Sequence, residues 1–112
     1  MTKVVKNIAY FDFLHRCMED DRKHGIRLDQ TAVRVLEAIA LAEHAGNPLT
    51  VTEAMQLSVI ASPATLHRQI DKLVDGEWVE RRHLEPNLRT KYLFPTVQAR
   101  RYFDRRSRLL PV

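Results

Sequence analysis

The sequence predicts a mainly α-helical fold with one small β-hairpin near its C-terminal end. Apolar residues recur at helical spacing through the first two thirds of the 112 residues, and only three glycines punctuate that pattern. After the last glycine, Gly76, two short β-prone runs flank a Pro-Asn pair, which is typical of a hairpin. These observations favour four helices, a hairpin and a final helix.

The composition fits one compact domain. A chain of this length can bury about two thirds of its unfolded surface, so neither a metal nor a disulfide is needed to fold it. The single cysteine, Cys17, has no partner for an internal disulfide, which favours a reducing compartment. No apolar run approaches the length of about 18 residues that spans a membrane, and the N-terminus lacks a secretory signal. We therefore expect a cytoplasmic protein without a membrane segment.

The first helix is expected at about residues 5–24. Gly25 follows it and is expected to end it in the left-handed conformation. Its residues at helical spacing are Ile8, Phe11, Leu14, His15 and Met18. Tyr10, Phe11 and Phe13 are too spread around the helix to pack together on one domain, which suggests a subunit interface. The alternative is a helix wedged between other helices of its own chain.

Capping residues mark the second and third helices. Asp29 is expected to cap a helix that Gly46 ends, and the wide apolar arc between them indicates a central helix. Thr50 and Glu53 have the spacing of a capping box. They predict a short third helix at about residues 51–59.

The fourth helix is expected over residues 63–75. Ser62 is a typical cap residue, and Pro63 occupies the first helical position, where its missing N–H costs nothing. Its core-facing residues are Leu66, Ile70 and Leu73. Only two or three residues are expected between the third and fourth helices, which is helix-turn-helix spacing. The second helix of such a pair can enter the major groove of DNA.

The fourth helix carries polar side chains outside its apolar face. Those able to contact phosphates or base edges are Ser62, Thr65, His67, Arg68, Gln69 and Lys72. Arg68 is the best candidate for a bidentate contact to guanine, while Gln69 lies on the flank. Asp71 and Asp75 share the outward face and would repel phosphate, but such helices usually contact bases through their N-terminal half.

The hairpin is basic. We call residues 81–93 of this hairpin the wing, and its cations are Arg81, Arg82, Arg89 and Lys91. Strand alternation points Arg81 and Arg82 to opposite faces, so only one of them can face DNA directly. The other is expected to pair with Glu80, Glu85 or the sheet backbone. Arg89, near the tip, is placed to probe a minor groove.

Charge is unevenly distributed along the chain. Residues 1–46 hold seven basic and seven acidic side chains, whereas residues 81–108 hold nine basic against two acidic ones. A local positive excess of this size favours polyanions such as nucleic acid. The alternative is a solvated, arginine-rich helix face that binds nothing.

A family resemblance rests on residues around the fourth helix and the hairpin. The helix-turn-helix ends in a leucine, a short glycine turn and a hydrophobic-Glu-Arg strand: Leu73, Gly76, Val79, Glu80 and Arg81. Over about residues 28–103 the sequence therefore resembles the MarR family of transcriptional regulators. The resemblance implies a winged helix-turn-helix fold that binds DNA through Ser62, Thr65 and Arg68, with Arg89 at the wing.

Two features depart from that family's pattern. Family wings usually carry an Asp-x-Arg element, whereas this sequence has Asn87-Leu88-Arg89, which keeps a hydrogen-bond acceptor but loses the charge. The family also has long C-terminal helices that build a dimer, whereas a single arginine-rich helix follows the wing here. We therefore expect the N-terminal helix to supply the dimer contact.

The predicted organisation is a single winged-helix domain over residues 1–112. Its segments are an N-terminal helix (1–28), a winged helix-turn-helix (29–95) and a C-terminal arginine-rich helix (96–112). In the last helix we expect Ala99, Phe103 and Leu110 to face inward. No enzyme, metal site or cofactor is expected, because the histidines lack metal-ligand spacing, Cys17 is alone and no glycine-rich phosphate loop is present.

The sequence favours a bacterial transcriptional regulator that binds double-stranded DNA as a homodimer. Helix 63–75 would contact the major groove, and the wing 81–93 would contact the minor groove or the backbone. The alternative is a winged-helix module that binds another protein through its aromatic first helix. A DNA-binding protein needs its free cations on one continuous face, whereas a protein-binding module presents an apolar patch there.

RNA is a weaker option, because the wing lacks aromatic stacking residues. The resemblance suggests a small-molecule effector, but no residue requires one.

Overall fold

The computed structural model describes residues 8–111. The helices and strands are α1 (Ile8–Lys23), α2 (Gln30–His44), α3 (Val51–Ala54), α4 (Pro63–Asp75), β1 (Val79–Leu84), β2 (Asn87–Pro95) and α5 (Val97–Leu109). This is the mainly helical fold with one hairpin that the sequence predicts. Within residues 8–111 no helix is long and apolar enough to cross a bilayer.

The chain divides into two compact units. Residues 28–100 form the central unit, and the terminal unit combines residues 8–27 with residues 101–111. These divisions fall close to the boundaries predicted from the sequence, but the first turn of α5 belongs to the central unit. The prediction of a single domain stays a prediction.

The predicted caps and glycine stops shape the central unit. The carboxylate of Asp29 accepts a 2.8 Å hydrogen bond from the backbone N–H of Ala32, and Gly46 has a φ of +80° just beyond α2. Thr50 and Glu53 form the capping box, with hydrogen bonds of 2.9 and 3.0 Å between side chains and backbone N–H groups. Each cap supplies an acceptor for an N–H group that the first helical turn leaves unpaired.

Helix α3 is shorter than predicted. It covers only Val51–Ala54 instead of 51–59. Beyond it, the backbone N–H groups of Gln56 and Leu57 donate to carbonyls three residues back instead of four, so the chain continues as tight turns. The expected separation of two or three residues before α4 is therefore wrong, because residues 55–62 connect the two helices.

Helix α4 presents the predicted apolar face to the core of the central unit. Ser62 caps it, and Pro63 is its first residue. The apolar residues buried in this unit are Ala32, Val35, Leu36, Ile39, Ala54, Leu66, Ile70, Leu73, Val79, Leu93, Phe94 and Ala99. They come from all its elements, so the core fixes α4 against α2 and the hairpin.

The register of the hairpin decides which side chains share a face. Strands β1 and β2 are antiparallel, with Arg81 opposite Leu93 and His83 opposite Lys91. These four side chains therefore lie on one face, while Arg82 points to the other. Beside β2, Thr50 forms an isolated β-bridge with Tyr92, and the backbone N–H of Leu93 donates to the carbonyl of Leu49 at 2.8 Å.

In the terminal unit, α1 and the end of α5 are joined by ion pairs. Arg105 Nε donates to Asp20 at 3.1 Å, and Arg106 Nη2 donates to Asp21 at 2.9 Å. Cys17 on α1 is buried. The acidic residues of the N-terminal segment thus neutralise arginines that are far away in the sequence.

Helix α5 differs from the prediction at its C-terminal end. Ala99 is buried as expected and Phe103 is half-buried, but Leu110 is exposed. Tyr102 is buried instead, and its hydroxyl accepts a 2.7 Å hydrogen bond from Arg106 Nη2. Because Tyr102 follows Ala99 by three residues, it continues the same helical face.

Candidate nucleic-acid interface

A chain of hydrogen bonds runs along the N-terminal half of α4. Ser62 Oγ donates to Thr65 Oγ1 at 3.1 Å, and Arg68 Nη2 donates to the same oxygen at 3.2 Å. The backbone N–H of Thr65 completes the cap by donating to Ser62 Oγ at 3.3 Å. The three residues are spaced three apart, so their side chains line one edge of the helix. Thr65 therefore orients the guanidinium of Arg68 before any ligand arrives.

Arg68 and Lys72 are the arginine and lysine residues of α4, and the charge of Lys72 contributes to the lowered pKa of the Asp29 carboxyl. Both side chains are exposed, and neither forms an ion pair with a carboxylate of residues 8–111. The Arg68 guanidinium donates one N–H to Thr65 Oγ1, and its other N–H groups remain available to donate to a ligand. A planar guanidinium with free donors is suited to bidentate contact with a guanine edge or a phosphate.

His67 and Arg81 meet at Asp71. Arg81 Nη2 donates to Asp71 Oδ1 at 2.8 Å, and His67 Nδ1 lies 3.3 Å from Asp71 Oδ2. Arg81 shares its hairpin face with Lys91, so this ion pair brings the cationic face of the hairpin beside the exposed face of α4. The helical pattern predicts that Asp71 lies on the exposed face of α4. It does not predict its partners, because His67 lies one helical turn earlier and Arg81 lies in β1.

Gln69 differs from the other polar residues of α4. Predicted at the flank of the exposed face, it is only 8% exposed. Its Nε2 lies 3.4 Å from Asp29 Oδ2, and its buried Oε1 has no hydrogen-bond partner among the described residues. The reason is its place on the helix, next to the buried Ile70 and three residues from the buried Leu66. Gln69 ties α4 to the start of α2 and is not available to contact bases.

Arg82 lies on the other face of the hairpin. Its Nε is 2.8 Å from the Glu80 carboxylate, and its guanidinium carbon lies 3.9 Å from the ring centroid of Phe94. Pairing with Glu80 is one of the three alternatives, Glu80, Glu85 or the sheet backbone, that the sequence left open for the arginine that does not face DNA. Ion pairing and stacking on an aromatic ring together hold Arg82 away from α4.

Asn87 organises the tip of the wing. Its Oδ1 accepts hydrogen bonds from the backbone N–H groups of Arg89 at 3.0 Å and Thr90 at 3.3 Å, while its Nδ2 donates to Thr90 Oγ1 at 2.9 Å. His83 Nδ1 lies 3.0 Å from the Thr90 carbonyl. The side chains of Arg89 and Lys91 are exposed and form no ion pair with residues 8–111. An Asn that bonds to backbone two residues on is a recognised turn signal, so the role of Asn87 could have been predicted.

The positive excess of the C-terminal quarter is largely paired. Arginines of α5 with a carboxylate partner are Arg100 (with Glu43), Arg105 (with Asp20), Arg106 (with Asp21) and Arg108 (with Asp104). In α4 and the hairpin, the cations without such a partner are Arg68, Lys72, Arg89 and Lys91. The helix-turn-helix and the wing thus present four of the described cations that lack an ion pair with residues 8–111, and Arg101 is the arginine of α5 that lacks one.

Solved structures with the same fold are known. A cysteine-to-serine mutant of MarR from E. coli shares 18% identity, with a TM-score of 0.57 over 96% of this chain and 78% of that one. A MarR protein from Peptoclostridium difficile shares 17%, with a TM-score of 0.54 over 93% and 70% of the two chains. A SlyA-like transcription regulator from Listeria monocytogenes shares 14%, with a TM-score of 0.55 over 97% and 69%.

These structures establish the fold of the chain. Neither a protein-family model nor a curated protein matches the sequence. The solved structures nevertheless align with nearly the whole chain, so it has the winged helix-turn-helix fold of MarR-type structures, as predicted. At such low identity the likeness concerns the path of the backbone, and the chemistry of the site must be argued from the residues of this chain.

Proposed function

We propose that this protein binds double-stranded DNA sequence-specifically and acts as a bacterial transcriptional regulator. The observation that carries the proposal is the set of four cations that α4 and the hairpin present without an ion pair to residues 8–111, which are Arg68, Lys72, Arg89 and Lys91. Free cations on a helix-turn-helix and its wing are positioned for phosphates and base edges. The SlyA-like structural neighbour is itself described as a transcription regulator.

Each element has a distinct role in the proposed complex. Helix α4 enters the major groove, where Arg68, oriented by Thr65, contacts a guanine edge. The cap at Ser62 offers its helix N-terminus to a phosphate, and Lys72 and Lys91 contact the DNA backbone. The exposed Arg89 at the wing tip reaches the minor groove or the adjacent backbone.

The regulator is proposed to act as a homodimer that joins through α1. Ile8, Phe11 and Met18 are exposed on this helix at helical spacing, and exposed apolar side chains clustered on one helix support an interaction site. A two-fold dimer presents two copies of α4 to two half-sites. The operator is then an inverted repeat.

Selection of bound sequences from a random duplex library tests this function. The selection is performed near physiological salt, and binding of the unselected pool is followed across salt concentration. We expect an enriched inverted repeat with half-sites about one helical turn apart. Binding without enrichment, which collapses on adding salt, would show a non-specific basic surface. Absence of binding at any salt would favour a protein-binding module instead.

Arg68→Ala separates base contact from general attraction. We expect it to weaken binding of the selected duplex by about 1–3 kcal/mol and to relax the preference at one base pair. Lys91→Ala is the comparison, since loss of a phosphate contact weakens all duplexes alike and flattens the salt dependence. Equal losses on selected and random duplex for Arg68→Ala would exclude a base-contacting role.

A further inference from the structure

Asp71 places a negative charge in the middle of the proposed DNA-contacting face of α4. The carboxylate is about half exposed, at 45%, and it lies one helical turn beyond His67 and three residues beyond Arg68. A carboxylate at that place repels phosphate, so it opposes binding of every DNA sequence equally. The effect of this negative charge therefore depends on the cations that pair with it.

Both oxygens of Asp71 are engaged, each by a different element. Oδ1 accepts the 2.8 Å hydrogen bond from Arg81 Nη2 of β1, and Oδ2 faces His67 Nδ1 of the same helix at 3.3 Å. Arg81 is thereby drawn to α4, although its exposed fraction of 34% would otherwise leave it available to phosphate. Its positive charge is matched by the carboxylate that holds it.

We propose that Asp71 is a specificity-determining residue, which withholds Arg81 from phosphate and uses it to position the wing against α4. This inference rests on the proposed DNA-binding function. An arginine already neutralised by a carboxylate releases no counterion when DNA binds, so it adds nothing to non-specific affinity. Affinity for random sequence is lowered, and the contacts that distinguish bases make up a larger share of binding.

The chain offers a matched control on the other face of the hairpin. Arg82 and Glu80 form an ion pair of the same 2.8 Å length, with both side chains about half exposed. Strand alternation points Arg82 away from the face that carries Arg81, and the ring of Phe94 lies beneath its guanidinium. Neutralising Glu80 removes the same charge and frees the same type of side chain, but away from α4.

The test compares Asp71→Asn with Glu80→Gln in the full chain. Affinities for the selected duplex and for a random duplex of equal length are measured across a range of salt concentrations. For Asp71→Asn we expect tighter binding of random duplex, a salt slope steeper by about one, and a several-fold lower ratio of selected to random affinity. Glu80→Gln is expected to change neither the slope nor the ratio. Equal effects of the two variants, or an unchanged slope for Asp71→Asn, would overturn the proposal.

The double variant Asp71→Asn/Arg81→Gln provides a second route, because it removes both charges of the pair and leaves no unpaired carboxylate on α4. If Arg81 positions the wing and contacts no phosphate, loss of the pair lowers the ratio of affinities but leaves the salt slope unchanged. A slope flatter by about one would mean that Arg81 contacts phosphate, and it would overturn the proposal. Failure of the proposed function would appear earlier, as absence of sequence enrichment by the unaltered protein, whereas failure of this inference appears only in the variants.

Discussion

Asp29 serves two elements with one carboxylate. The backbone N–H of Ala32 donates to it and holds the pKa of this carboxyl below its usual value, and the amide of Gln69 adds to that effect. The residue therefore caps α2 and also contacts the buried side of α4. A change at Asp29 affects both the stability of α2 and the position of the proposed DNA-contacting helix.

This arrangement predicts a defined response to acid. The ionised Asp29 contributes its full stability above the pKa of an unfolded aspartate, about 3.9, and loses it as the pH falls through the lower pKa of the folded state. We expect Asp29→Ala to lower the free energy of unfolding at pH 7 by about 1 kcal/mol, the value of a lost helix cap.

Asp29→Asn is the matched variant for that experiment, because asparagine caps a helix but does not titrate. Urea unfolding of the three proteins between pH 7 and pH 3 measures the effect. The stability advantage of aspartate over asparagine should shrink as the pH falls. A difference that stays constant over this range would show that the charge of Asp29 does not contribute.

Sequence patterns predict single residues well where the partner is local. The bonds of Asp29 to Ala32 and of Thr50 to Glu53 follow from the spacing of three residues alone. The burial of Gln69 depends on which side of α4 meets α2, and that is decided by packing between elements far apart in the sequence. The local sequence pattern of α4 does not indicate which of its sides packs against α2.

The wing depends on the side chain of Asn87. Without it, the backbone N–H groups of Arg89 and Thr90 lose their common acceptor at the tip. The two strands would still pair further from the tip, where Arg81 lies opposite Leu93. The hairpin therefore has a stable base and a tip whose conformation rests on one amide group.

Asn87→Ala should loosen this tip and weaken binding of all DNA sequences. The expected loss is about 0.5–1.5 kcal/mol, the net value of one hydrogen bond, because the exposed N–H groups regain water. Asn87→Asp keeps an acceptor for both N–H groups and is expected to retain the conformation of the tip, although its added negative charge weakens the attraction to phosphate. Hydrogen exchange of the Arg89 and Thr90 amides reports the same change directly. Unaltered protection in Asn87→Ala would exclude this role of the side chain.

Helix α3 shows why the ends of elements are harder to predict than their beginnings. Its start is fixed by the capping box at Thr50, a strictly local signal. Its end at Ala54 has no glycine or proline to mark it, and the apolar residues that follow it in the sequence suited a longer helix. In the structure the segment is made of turns, and Val59 in it is almost fully exposed.

At the scale of the whole molecule, ion pairing determines which cations remain available to a partner. Summed along the sequence, the arginines of α5 suggest the strongest positive field, but Glu43, Asp20 and Asp21 neutralise three of them. Each of these carboxylates lies more than fifty residues from its arginine in the chain. Linear counting along the sequence therefore exaggerates the contribution of the last helix to the positive charge that remains available for a partner.

The exposed apolar residues of α1 lead to a prediction for the assembled protein. Phe11 is 57% exposed in the single chain, and Tyr10 lies beside it with 6.1 Å between ring centroids. If this surface joins two subunits, Phe11→Glu places a charge in the apolar contact and should shift the protein to monomer. It should also weaken binding of the inverted repeat much more than binding of a single half-site, because only the dimer engages both halves.

Leu41→Glu is the matched control for that variant. Leu41 is a similarly exposed apolar residue, at 67%, but it lies on α2 outside the proposed contact. Sedimentation velocity over a range of protein concentrations should give a dimer for Leu41→Glu and a monomer for Phe11→Glu, with equal thermal unfolding at low concentration. If Phe11→Glu remained a dimer, another surface would join the subunits. If the unaltered protein were a monomer that still bound the inverted repeat, its two half-sites would be filled independently.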